Sequence, residues 1–445
     1  MSALVWFRRD LRLDDNPAWA NATIDHDAVE GVFVLDARLL ATAGELRQSL
    51  LFENLRSLDM RLRTLGGGLT VVSGTPEDVI PQLAARHEAV YWNRDYTPFA
   101  RRRDARVDEA VSADVECFDG SVVHAPGTVL TGDGTPYRVF TPFYRKWAET
   151  PIEPWPAAGV ATVLASPGID LPKADRSIIE GGDRGALERL DRFLDVVDDY
   201  GADRNRPDID GTSQLSADLK FGTISPRRVA QVVGSTTPGR QAFVRQLAWR
   251  DFYAQVLLHF PHTVDAPLQE NLSSIVWADD KEAANAWETG QTGYPIVDAG
   301  MRQLRSTGWM HNRVRMITAS FLVKDLGIDW RVGERHFRRL LIDADVSQNV
   351  GNWQWVAGTG ADAAPYFRIM NPITQSRRFD PDGVYIRRHV PELASLEAPI
   401  IHAPWERPLE TAAAGVTLGD TYPYPIVDHA TAREITLQRF ATAKG

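Results

Sequence analysis

The residues best suited to chemistry lie at positions 291–375, where three residue types occur together. Four arginines stand within residues 300–316 without an acid between them: Arg302, Arg305, Arg313 and Arg315. Two carboxylates and four tryptophans accompany them: Asp343, Asp345, Trp309, Trp330, Trp353 and Trp355. Arginines mixed with flat rings suit a polyanion that offers π-faces for stacking. Buried acids beside buried arginines suit a polar cofactor held by a satisfied hydrogen-bond network.

The carboxylate pair has two interpretations. In a buried site, Asp343 and Asp345 would accept N–H and O–H bonds from a flavin ring and its ribityl chain, with Arg315 and Asn349 nearby. A bidentate arginine would keep one of the carboxylates charged in that place. In an exposed loop, the same two residues would be an ordinary surface pair. A divalent metal needs more oxygen ligands than this stretch offers, so the sequence predicts no metal site.

A hydroxyl-rich segment, Gly211 to Ser216, opens a helical pattern at Ala217. Its small side chains suit two roles. They can cap the helix by satisfying its free N–H groups. They can also hold a phosphate at the positive end of the helix. The segment alone does not separate these alternatives.

Seven of the 13 tryptophans fall between residues 249 and 355, a density that asks for a reason. Each one alone is explained as a core aromatic. Because indole is the common side chain that is easiest to oxidise, the series Trp277, Trp330 and Trp353 can relay an electron from a buried cofactor to solvent. Trp249 and Trp355 can instead stack against bases. No Ser–His–Asp order stands out, and His311 is expected to be a satisfied polar residue, so the chemistry is expected to belong to a cofactor.

The composition is that of a globular protein, with 445 residues, 44% hydrophobic and 24% charged, which is enough for two domains. Cys117 is the only cysteine, which excludes an internal disulfide and a cysteine-based zinc site and fits a reducing cytoplasm. Charge at Arg8 comes too early for a signal peptide, and a membrane span would need about 18 apolar residues, which the sequence lacks. The net charge is −10, but residues 204–250 hold eight basic residues and three acids. A polyanion would therefore bind a patch.

Residues 1–125 alternate short β-branched or aromatic runs with helical patterns, which predicts a parallel sheet covered on both faces. The predicted strands are Leu4–Phe7, Val32–Leu35, Leu69–Ser73, Ala89–Trp92 and Val115–Phe118, with helices around 46–65, 76–87 and 98–112. No GxGxxG follows the first strand, and Gly66–Gly68 is expected to end a helix. A dinucleotide site of the usual doubly wound type is therefore not supported.

Residues 126–172 contain eight prolines and few apolar repeats, which is typical of a connector on the surface. Farther on, apolar residues recur at helical spacing in 186–199, 240–259, 296–305, 311–326 and 331–342. This pattern predicts an all-helical second half. The sequence thus predicts an α/β domain at 1–125, a linker at 126–185 and a helical domain at 186–445.

Five long motifs resemble the photolyase/cryptochrome family, and within it the microbial cyclobutane pyrimidine dimer photolyases. They are VWFRRDLRLDDN at 5–16, GTSQLSADLKFGTISPR at 211–227, QLAWRDFY at 246–253, TGYPIVDAGMRQLRSTGWMHNRVRMITASFLVKDL at 292–326 and IDADVSQNVGNWQWVAGTGADAAPYFRIMNP at 342–372. The resemblance implies an N-terminal Rossmann-like α/β antenna domain, a long linker and a helical domain that holds FAD in a U-shaped form. It also implies light-driven repair, in which excited reduced flavin gives one electron to the dimer, the ring splits and the electron returns.

The resemblance implies roles for individual residues. Those lining the FAD phosphate and ribityl region are Tyr200, Thr212, Ser213, Leu215 and Ser216. Those around the flavin ring are Asn312, Arg315, Asp343, Asp345 and Asn349, with Asn349 near N5. The photoreduction chain runs outward from Trp353 through Trp330 to Trp277. Trp249, Met316 and Trp355 match the walls of the dimer pocket. Arg204, Arg313 and Arg368 match arginines near the lesion or its backbone.

One position departs from the family pattern. Its repair enzymes usually carry glutamate where this chain has Gln246, and an amide offers the dimer no acidic proton. This leaves a cryptochrome-like photoreceptor without repair activity as the alternative, although Asn349 favours repair. Repair of the (6-4) photoproduct is less favoured, because that subfamily has two histidines where Asn312 and Met316 stand here. The expected partner is UV-damaged DNA, with no membrane, no obligate protein partner and a monomeric state.

A second, antenna chromophore is expected in the first domain. Arg47, Asp104 and Lys220 are similar to residues of the photolyases that bind 8-hydroxy-5-deazaflavin. The folate type has an Asn–Glu pair where Phe99 and Ala100 stand here. Methenyltetrahydrofolate and an empty second site remain the alternatives.

Overall fold

In the computed structural model, residues 2–173, 176, 178–365 and 367–444 are described. The chain divides into two units. The first comprises Met1–Asp198, Ser213–Pro261 and Ile342–Ser347. The second comprises Asp199–Thr212, His262–Leu341 and Gln348–Gly445. Each unit draws on separate stretches of sequence, and the predicted domain limits stay a prediction.

A parallel sheet lies at the centre of the first unit. Its strands are β1 (Ser2–Phe7), β2 (Ala28–Leu35), β3 (Leu69–Ser73), β4 (Ala89–Asn93), β5 (Asp114–Phe118) and β6 (Thr162–Leu164). The order is β3-β2-β1-β4-β5, and β6 pairs with β2 beside this path. Leu4 and Val5 have no exposed surface, as expected for a parallel strand covered on both faces. The five predicted strands and the parallel α/β fold are confirmed.

Helices make up most of the remaining chain. The first eleven are α1 (Pro17–Asp25), α2 (Ala37–Leu40), α3 (Glu45–Thr64), α4 (Pro76–Ala84), α5 (Pro98–Ala110), α6 (Phe140–Glu149), α7 (Gly182–Leu194), α8 (Tyr200–Asp203), α9 (Ser216–Phe221), α10 (Pro226–Val233) and α11 (Pro238–His259). The others are α12 (Lys281–Thr289), α13 (Pro295–Thr307), α14 (Asn312–Ser320), α15 (Trp330–Leu340), α16 (Val346–Ala357), α17 (Pro372–Phe379), α18 (Val384–His389), α19 (Ala398–Ile401), α20 (Pro408–Ala413) and α21 (His429–Lys444). A π-helical segment, Phe321–Asp325, continues α14. The predicted helical second half is confirmed.

Proline, hydroxyl and glycine residues set the ends of several helices. Pro76 and Pro98 occupy the first turns of α4 and α5, where a missing N–H costs nothing. The side chain of Thr97 accepts a hydrogen bond from the backbone N–H of Ala100 and so caps α5. Helix α3 ends at Thr64, and Gly66 follows with a φ of +91°. The predicted glycine stop is therefore confirmed.

The stretch 126–172 contains two elements that the sequence analysis did not predict, α6 and β6. Helix α6 forms because Phe140, Phe143 and Trp147 share one face and are buried. Strand β6 forms because residues Ala28–Glu30 of β2 offer unpaired backbone groups beside β3. A high proline count shows where the chain bends, but it carries no information on such tertiary partners.

Candidate functional site

A buried polar cluster in the first unit surrounds Asp345. Its side chain is 6% exposed, forms an ion pair with Arg9 and accepts a hydrogen bond from Ser347 Oγ at 2.6 Å. Arg9 also pairs with Asp95 at 3.3 Å. Burial opposes the charge of Arg9, but the two carboxylates outweigh it and raise the pKa of that guanidinium. Asp343 is buried as well. The interpretation as an exposed surface pair is therefore wrong for both carboxylates.

This cluster lies where the strand order of the sheet reverses. Arg9 follows β1 and Asp95 follows β4, and these neighbouring strands lead to opposite sides of the sheet. Open α/β sheets bind ligands beyond the carboxyl ends of their strands at such a point. Sequence analysis did not single out Arg9 or Asp95, although their positions directly after two predicted strands were an available signal.

A second group of charges in the first unit contains the predicted antenna residues. Burial, and then the charges of Arg47 and Arg9, lower the pKa of Lys220 well below its usual range. Arg47 donates to the carbonyl oxygen of Thr42 at 2.8 Å. Asp104 accepts a hydrogen bond from Arg8 at 2.6 Å. The fold thus brings Arg47 and Lys220 into electrostatic contact, whereas Asp104 is held by an arginine.

The hydroxyl-rich segment does not cap the helix that follows it. Helix α9 begins at Ser216, and its N-cap residue, Leu215, makes no side-chain cap bond. Ser213 Oγ accepts a hydrogen bond from the N–H of Leu215 at 3.3 Å. Leu215 is buried, Thr212 and Ser213 are partly buried, and Ser216 is exposed. The capping alternative is therefore wrong. Tyr200, from the same predicted set, is buried in α8 of the second unit.

In the second unit, Glu334 orients the side chain of Asn349. Asn349 Nδ2 donates to the backbone carbonyl of Glu334 at 3.0 Å and to Glu334 Oε1 at 2.8 Å. Because a backbone carbonyl can only accept, the amide orientation is fixed and Asn349 Oδ1 remains as an acceptor for a ligand. Glu334 is buried, and its carboxylate also accepts from Arg338 at 2.8 Å. Sequence analysis missed Glu334, the one acid in an arginine-rich helix.

The three tryptophans of the predicted relay lie in the second unit, Trp353 on α16, Trp330 on α15 and Trp277 in the segment before α12. Trp353 is buried, and its ring lies so close to Gly333 that a Cβ there would meet it at 2.1 Å. Gly333 stands one turn beyond buried Trp330 on α15. Trp277 is partly buried, and the N–H of its neighbour Ala278 donates to the carbonyl of Gly327 at 2.8 Å. Burial thus falls from Trp353 and Trp330 to Trp277.

One further indole belongs to this region. Trp287 has no exposed surface, and its ring centroid lies 6.1 Å from that of Trp353 in an edge-on arrangement. Sequence analysis did not assign it a role.

Helix α14 presents the predicted pocket residues Asn312 and Met316 one turn apart. Asn312 Nδ2 lies 3.8 Å from Met316 Sδ. Arg315 donates to the carbonyl oxygen of Met310 at 2.8 Å. Trp355 is partly buried, and Arg368 is exposed. The fold therefore places Asn312 and Met316 together on α14, and their role in a dimer pocket stays a prediction.

Two arginines of the second unit, Arg313 and Arg378, lie over Phe379, and the charge of a third, Arg204, acts on Arg313. The guanidinium groups of Arg313 and Arg378 lie 4.4 and 5.1 Å from the ring centroid. Burial, and then the charges of Arg204 and Arg378, lower the pKa of Arg313. Arg313 donates to Asn205 Oδ1 at 2.6 Å, and its Nε is buried without a partner. No carboxylate in the described part of the chain pairs with these three arginines. Such a group suits an anion.

Helix α11 of the first unit carries Gln246 and Trp249. Gln246 Nε2 donates to the carbonyl oxygen of Ala242, one turn earlier, at 3.0 Å. Its Oε1 therefore remains as an acceptor. Trp249 is partly buried and stacks against Phe140 of α6, with ring centroids 3.7 Å apart. Sequence analysis did not foresee Phe140, because it lies in the proline-rich connector.

His311 caps α14 by accepting a hydrogen bond from the N–H of Arg313 at 3.2 Å. Burial lowers the pKa of His311 to about 4, so its ring is neutral at pH 7. Its Nε2 has no partner among the described residues, so the expectation of a satisfied histidine holds for one ring nitrogen only. Across the described residues, no set of three His, Cys, Asp or Glu side chains could hold a metal ion. Nor does any described helix combine the length and apolarity of a membrane span.

Comparison with known proteins identifies the family. A family model described as DNA photolyase matches residues 3–160, and one described as the FAD binding domain of DNA photolyase matches residues 243–442. A deoxyribodipyrimidine photo-lyase from Agrobacterium fabrum is 41% identical over 99% of this chain and 98% of its own. This chain belongs to the photolyase/cryptochrome family.

Solved photolyases share the whole fold. A class III photolyase from Agrobacterium tumefaciens is 40% identical, with a TM-score of 0.91 over 100% of this chain and 98% of the other. An archaeal photolyase from Sulfolobus tokodaii, solved with two FAD molecules, is 32% identical, with a TM-score of 0.88 over 99% of this chain and 100% of the other. The family match confirms FAD as the cofactor, whereas the roles of single residues stay predictions.

Proposed function

We propose that this member of the photolyase family is a deoxyribodipyrimidine photo-lyase that splits cyclobutane pyrimidine dimers in DNA with light. Curated relatives of that name match nearly the full chain at 39 to 41% identity. The observation that carries the proposal is the Asn349 amide, oriented by Glu334 one turn before Trp353 on α16. This arrangement joins a fixed ligand acceptor to the start of the tryptophan series.

Polar residues of each unit suit FAD. In the first unit, buried Asp345 is paired with Arg9 and offers acceptor oxygens. In the second unit, buried Asn349 offers its amide oxygen. When bound, FAD supplies the light absorption and the single electron that ring splitting requires. Asn349 Oδ1 would accept a hydrogen bond from an N–H of the flavin, and Asp345 would accept from its polar chain.

The tryptophan series would restore the reduced cofactor. Trp353 and Trp330 are shielded from water, so an oxidised indole at either position would be protected from reaction with solvent. Trp277 reaches the surface, where an external reductant can refill it. The series would therefore offer a path for electrons from solvent to the buried cofactor.

DNA would bind through the arginines around Phe379 and the pocket residues of α14. Arg204, Arg313 and Arg378 would neutralise phosphates, so affinity should fall as salt rises. A dimer must leave the duplex to reach a buried cofactor, as is general for photolyases. Asn312 and Met316 would then meet the flipped bases.

Gln246 is expected to lower the repair yield of this enzyme. Its Nε2 is turned back onto Ala242, so it offers the dimer an acceptor, one remaining N–H and no acidic proton. We expect Gln246→Glu to raise the repair yield, measured as dimers split per absorbed photon. Equal yields for the two proteins would contradict this role.

The antenna is proposed to be 8-hydroxy-5-deazaflavin. The electrostatic contact of Arg47 with Lys220 supports an anionic ligand. Extraction of the purified protein and absorption of the extract would distinguish deazaflavin, methenyltetrahydrofolate, a second FAD and no chromophore. We also propose that the protein is cytoplasmic, which its single cysteine supports. We further propose a monomer, which light scattering would test.

The decisive experiment mixes photoreduced protein with thymine-dimer oligonucleotide under anaerobic blue light and follows absorbance near 260 nm. Absorbance rises if thymine double bonds return, which is the expected result. A flat trace from protein that holds reducible FAD would instead favour the photoreceptor function, with (6-4) DNA as the next substrate.

A further inference from the structure

Helix α6, from the proline-rich connector, packs against α11, the helix that carries Gln246 and Trp249. Phe140, Phe143 and Trp147 lie at positions i, i+3 and i+7 of α6 and are 1 to 3% exposed. This spacing places all three on one face of the helix. The connector therefore contributes a fixed aromatic surface to the first unit.

Phe140 covers one face of the Trp249 indole. The two rings are nearly parallel, at 9°, with centroids 3.7 Å apart. Phe252 meets the same indole edge-on, with centroids 5.5 Å apart. Face-to-face stacking with little offset is not the arrangement that aromatic pairs prefer, so the backbones of α6 and α11 must hold these rings in register. Tyr253 also meets the indole, tilted at 34° with centroids 5.4 Å apart, and Trp249 keeps partial exposure on which a further ring can stack.

Phe140 also supports a cation. The guanidinium of Arg245, one turn before Trp249 on α11, lies 5.2 Å from the Phe140 centroid and 4.9 Å from that of Tyr144. No carboxylate within the described residues pairs with Arg245. Aromatic rings fix the position of this guanidinium while its N–H donors stay available to an anion.

The exposed side of α6 is basic too. Arg145 and Lys146 are exposed there, and Glu149 is the one acid of the helix. Positive charge beside a stackable ring is the combination that binds a nucleic-acid strand.

We propose that α6 belongs to the DNA-recognition machinery, with Phe140 as a positioning residue. By stacking on Trp249 and supporting Arg245, Phe140 presents an indole face to the dimer and a guanidinium to a neighbouring phosphate. An aliphatic residue would fill the same volume, but it would leave the indole free to rotate and remove the π-face under Arg245. The inference rests on the proposed function, because it requires Trp249 to contact the dimer.

The test compares Phe140→Leu with Phe143→Leu in FAD-loaded protein. Both phenylalanines are 1% exposed on the same helix. Phe143 meets the rings of Tyr137, Phe140 and Phe252, whereas of the two only Phe140 meets Trp249. We expect Phe140→Leu to raise KM for dimer repair, and Kd for dimer-containing DNA, about three- to tenfold. kcat at saturating substrate should change less than about twofold, because Phe140 does not touch the reacting bonds. Phe143→Leu should lower the thermal midpoint of unfolding about as much as Phe140→Leu does, but it should leave KM unchanged.

Equal KM shifts in the two variants, or no shift in Phe140→Leu, would overturn the inference. Trp249→Leu separates it from the proposed function. If Trp249→Leu binds dimer-containing DNA as well as the parent, the dimer pocket itself is wrong. If Trp249→Leu weakens binding but Phe140→Leu does not, the pocket stands and the role of Phe140 is rejected.

Arg245→Gln tests the cation without disturbing the core, since Arg245 is partly exposed. The slope of log Kd against log salt should become shallower by about 0.9, the loss of one phosphate contact. An unchanged slope would reject the contribution of Arg245, even if Phe140→Leu failed to fold.

Discussion

Two charged clusters of this molecule differ in how their cations are neutralised. In the first unit, Arg9 meets two carboxylates, Asp345 and Asp95, so its charge is balanced within the fold. In the second unit, Arg313 and Arg378 meet the ring of Phe379, and Arg313 also meets the charge of Arg204. We call the first cluster closed because ion pairs within the fold balance its charge, whereas the second cluster keeps a net positive charge.

We infer from this difference that the pairing of basic residues, more than their number, indicates where a polyanion would bind. Like charges held together in a partly buried place raise the energy of the empty protein, and a bound phosphate relieves that cost. An arginine that is already paired with a carboxylate gains little energy when a phosphate approaches. The overall charge of −10 therefore does not conflict with DNA binding.

The largest expected effect is that of breaking the closed cluster. Asp345→Asn removes the most buried carboxylate beside Arg9 and should lower the free energy of unfolding by about 3 kcal/mol, because it leaves a desolvated cation short of a partner. It should also reduce the FAD content of purified protein. Urea denaturation and flavin absorbance measure both effects. Asp95→Asn, whose carboxylate lies 3.3 Å from Arg9, should cost less and serves as the control. Full stability and full flavin content in Asp345→Asn would show that the first cluster does not depend on this carboxylate to balance the charge of Arg9.

A smaller effect is expected at Lys324, a buried side chain that pairs with no carboxylate among the residues that the structure describes. Its Nζ donates to the carbonyl oxygen of Ala357 at 2.9 Å and lies 3.6 Å from the Phe440 ring. Burial lowers the pKa of Lys324 from 10.5 to about 7. The unfolded chain therefore binds more protons than the folded protein between pH 7 and 10.5, so this group makes stability rise with pH.

Lys324→Met should remove that rise, which amounts to about 2 kcal/mol between pH 7 and 9. The measurement is the difference in unfolding free energy between the two proteins at each pH, with Lys281→Met at the exposed start of α12 as the control. Parallel pH curves for Lys324→Met and the parent would show that the lysine keeps its charge at pH 9. Burial alone would then not suffice to discharge a cation here.

Removal of a positive charge from the second cluster should weaken DNA binding without lowering the stability of the protein. Arg313→Gln should raise Kd for dimer-containing DNA about tenfold, the value of one charged hydrogen bond. The slope of log Kd against log salt should fall by about 0.9. Arg305→Gln, in the same arginine-rich stretch but bonded to the carbonyl of Thr289, is the matched control and should bind normally. Equal loss in both variants would mean that total charge decides binding.

The smallest effect is expected at Arg378, which is exposed and lies at the edge of the cluster. Arg378→Gln should raise Kd about threefold, since an exposed charge is screened by water and salt. It should also return the pKa of Arg313 towards its ordinary value, because one repelling charge is gone. Titration with DNA at two salt concentrations tests the first effect. A loss as large as that of Arg313→Gln would place Arg378 at the centre of the cluster.

Sequence patterns predicted the parts of the molecule whose cause is local. Alternation of apolar runs located β1 and β4, and helical spacing located α11 and α15, because each element buries a face visible in its own residues. The motifs directed attention to Asp345 and Asn349. Their partners, Arg9 and Glu334, lie 336 and 15 residues away, and only the fold brings them together. Phe140 was missed for the same reason, because its role depends on a helix about 100 residues later in the chain.

Strand β6 bears on how this protein behaves when concentrated. It covers Ala28–Glu30 of β2, on the edge that β3 reaches only from Gly31 onward. Without it, the N–H and C=O groups of those three residues would form an open edge, which is a template for pairing with another chain. A cut or deletion in the connector near residue 162 would therefore make copies of the protein aggregate through their sheets, although every residue assigned to light chemistry would still be present.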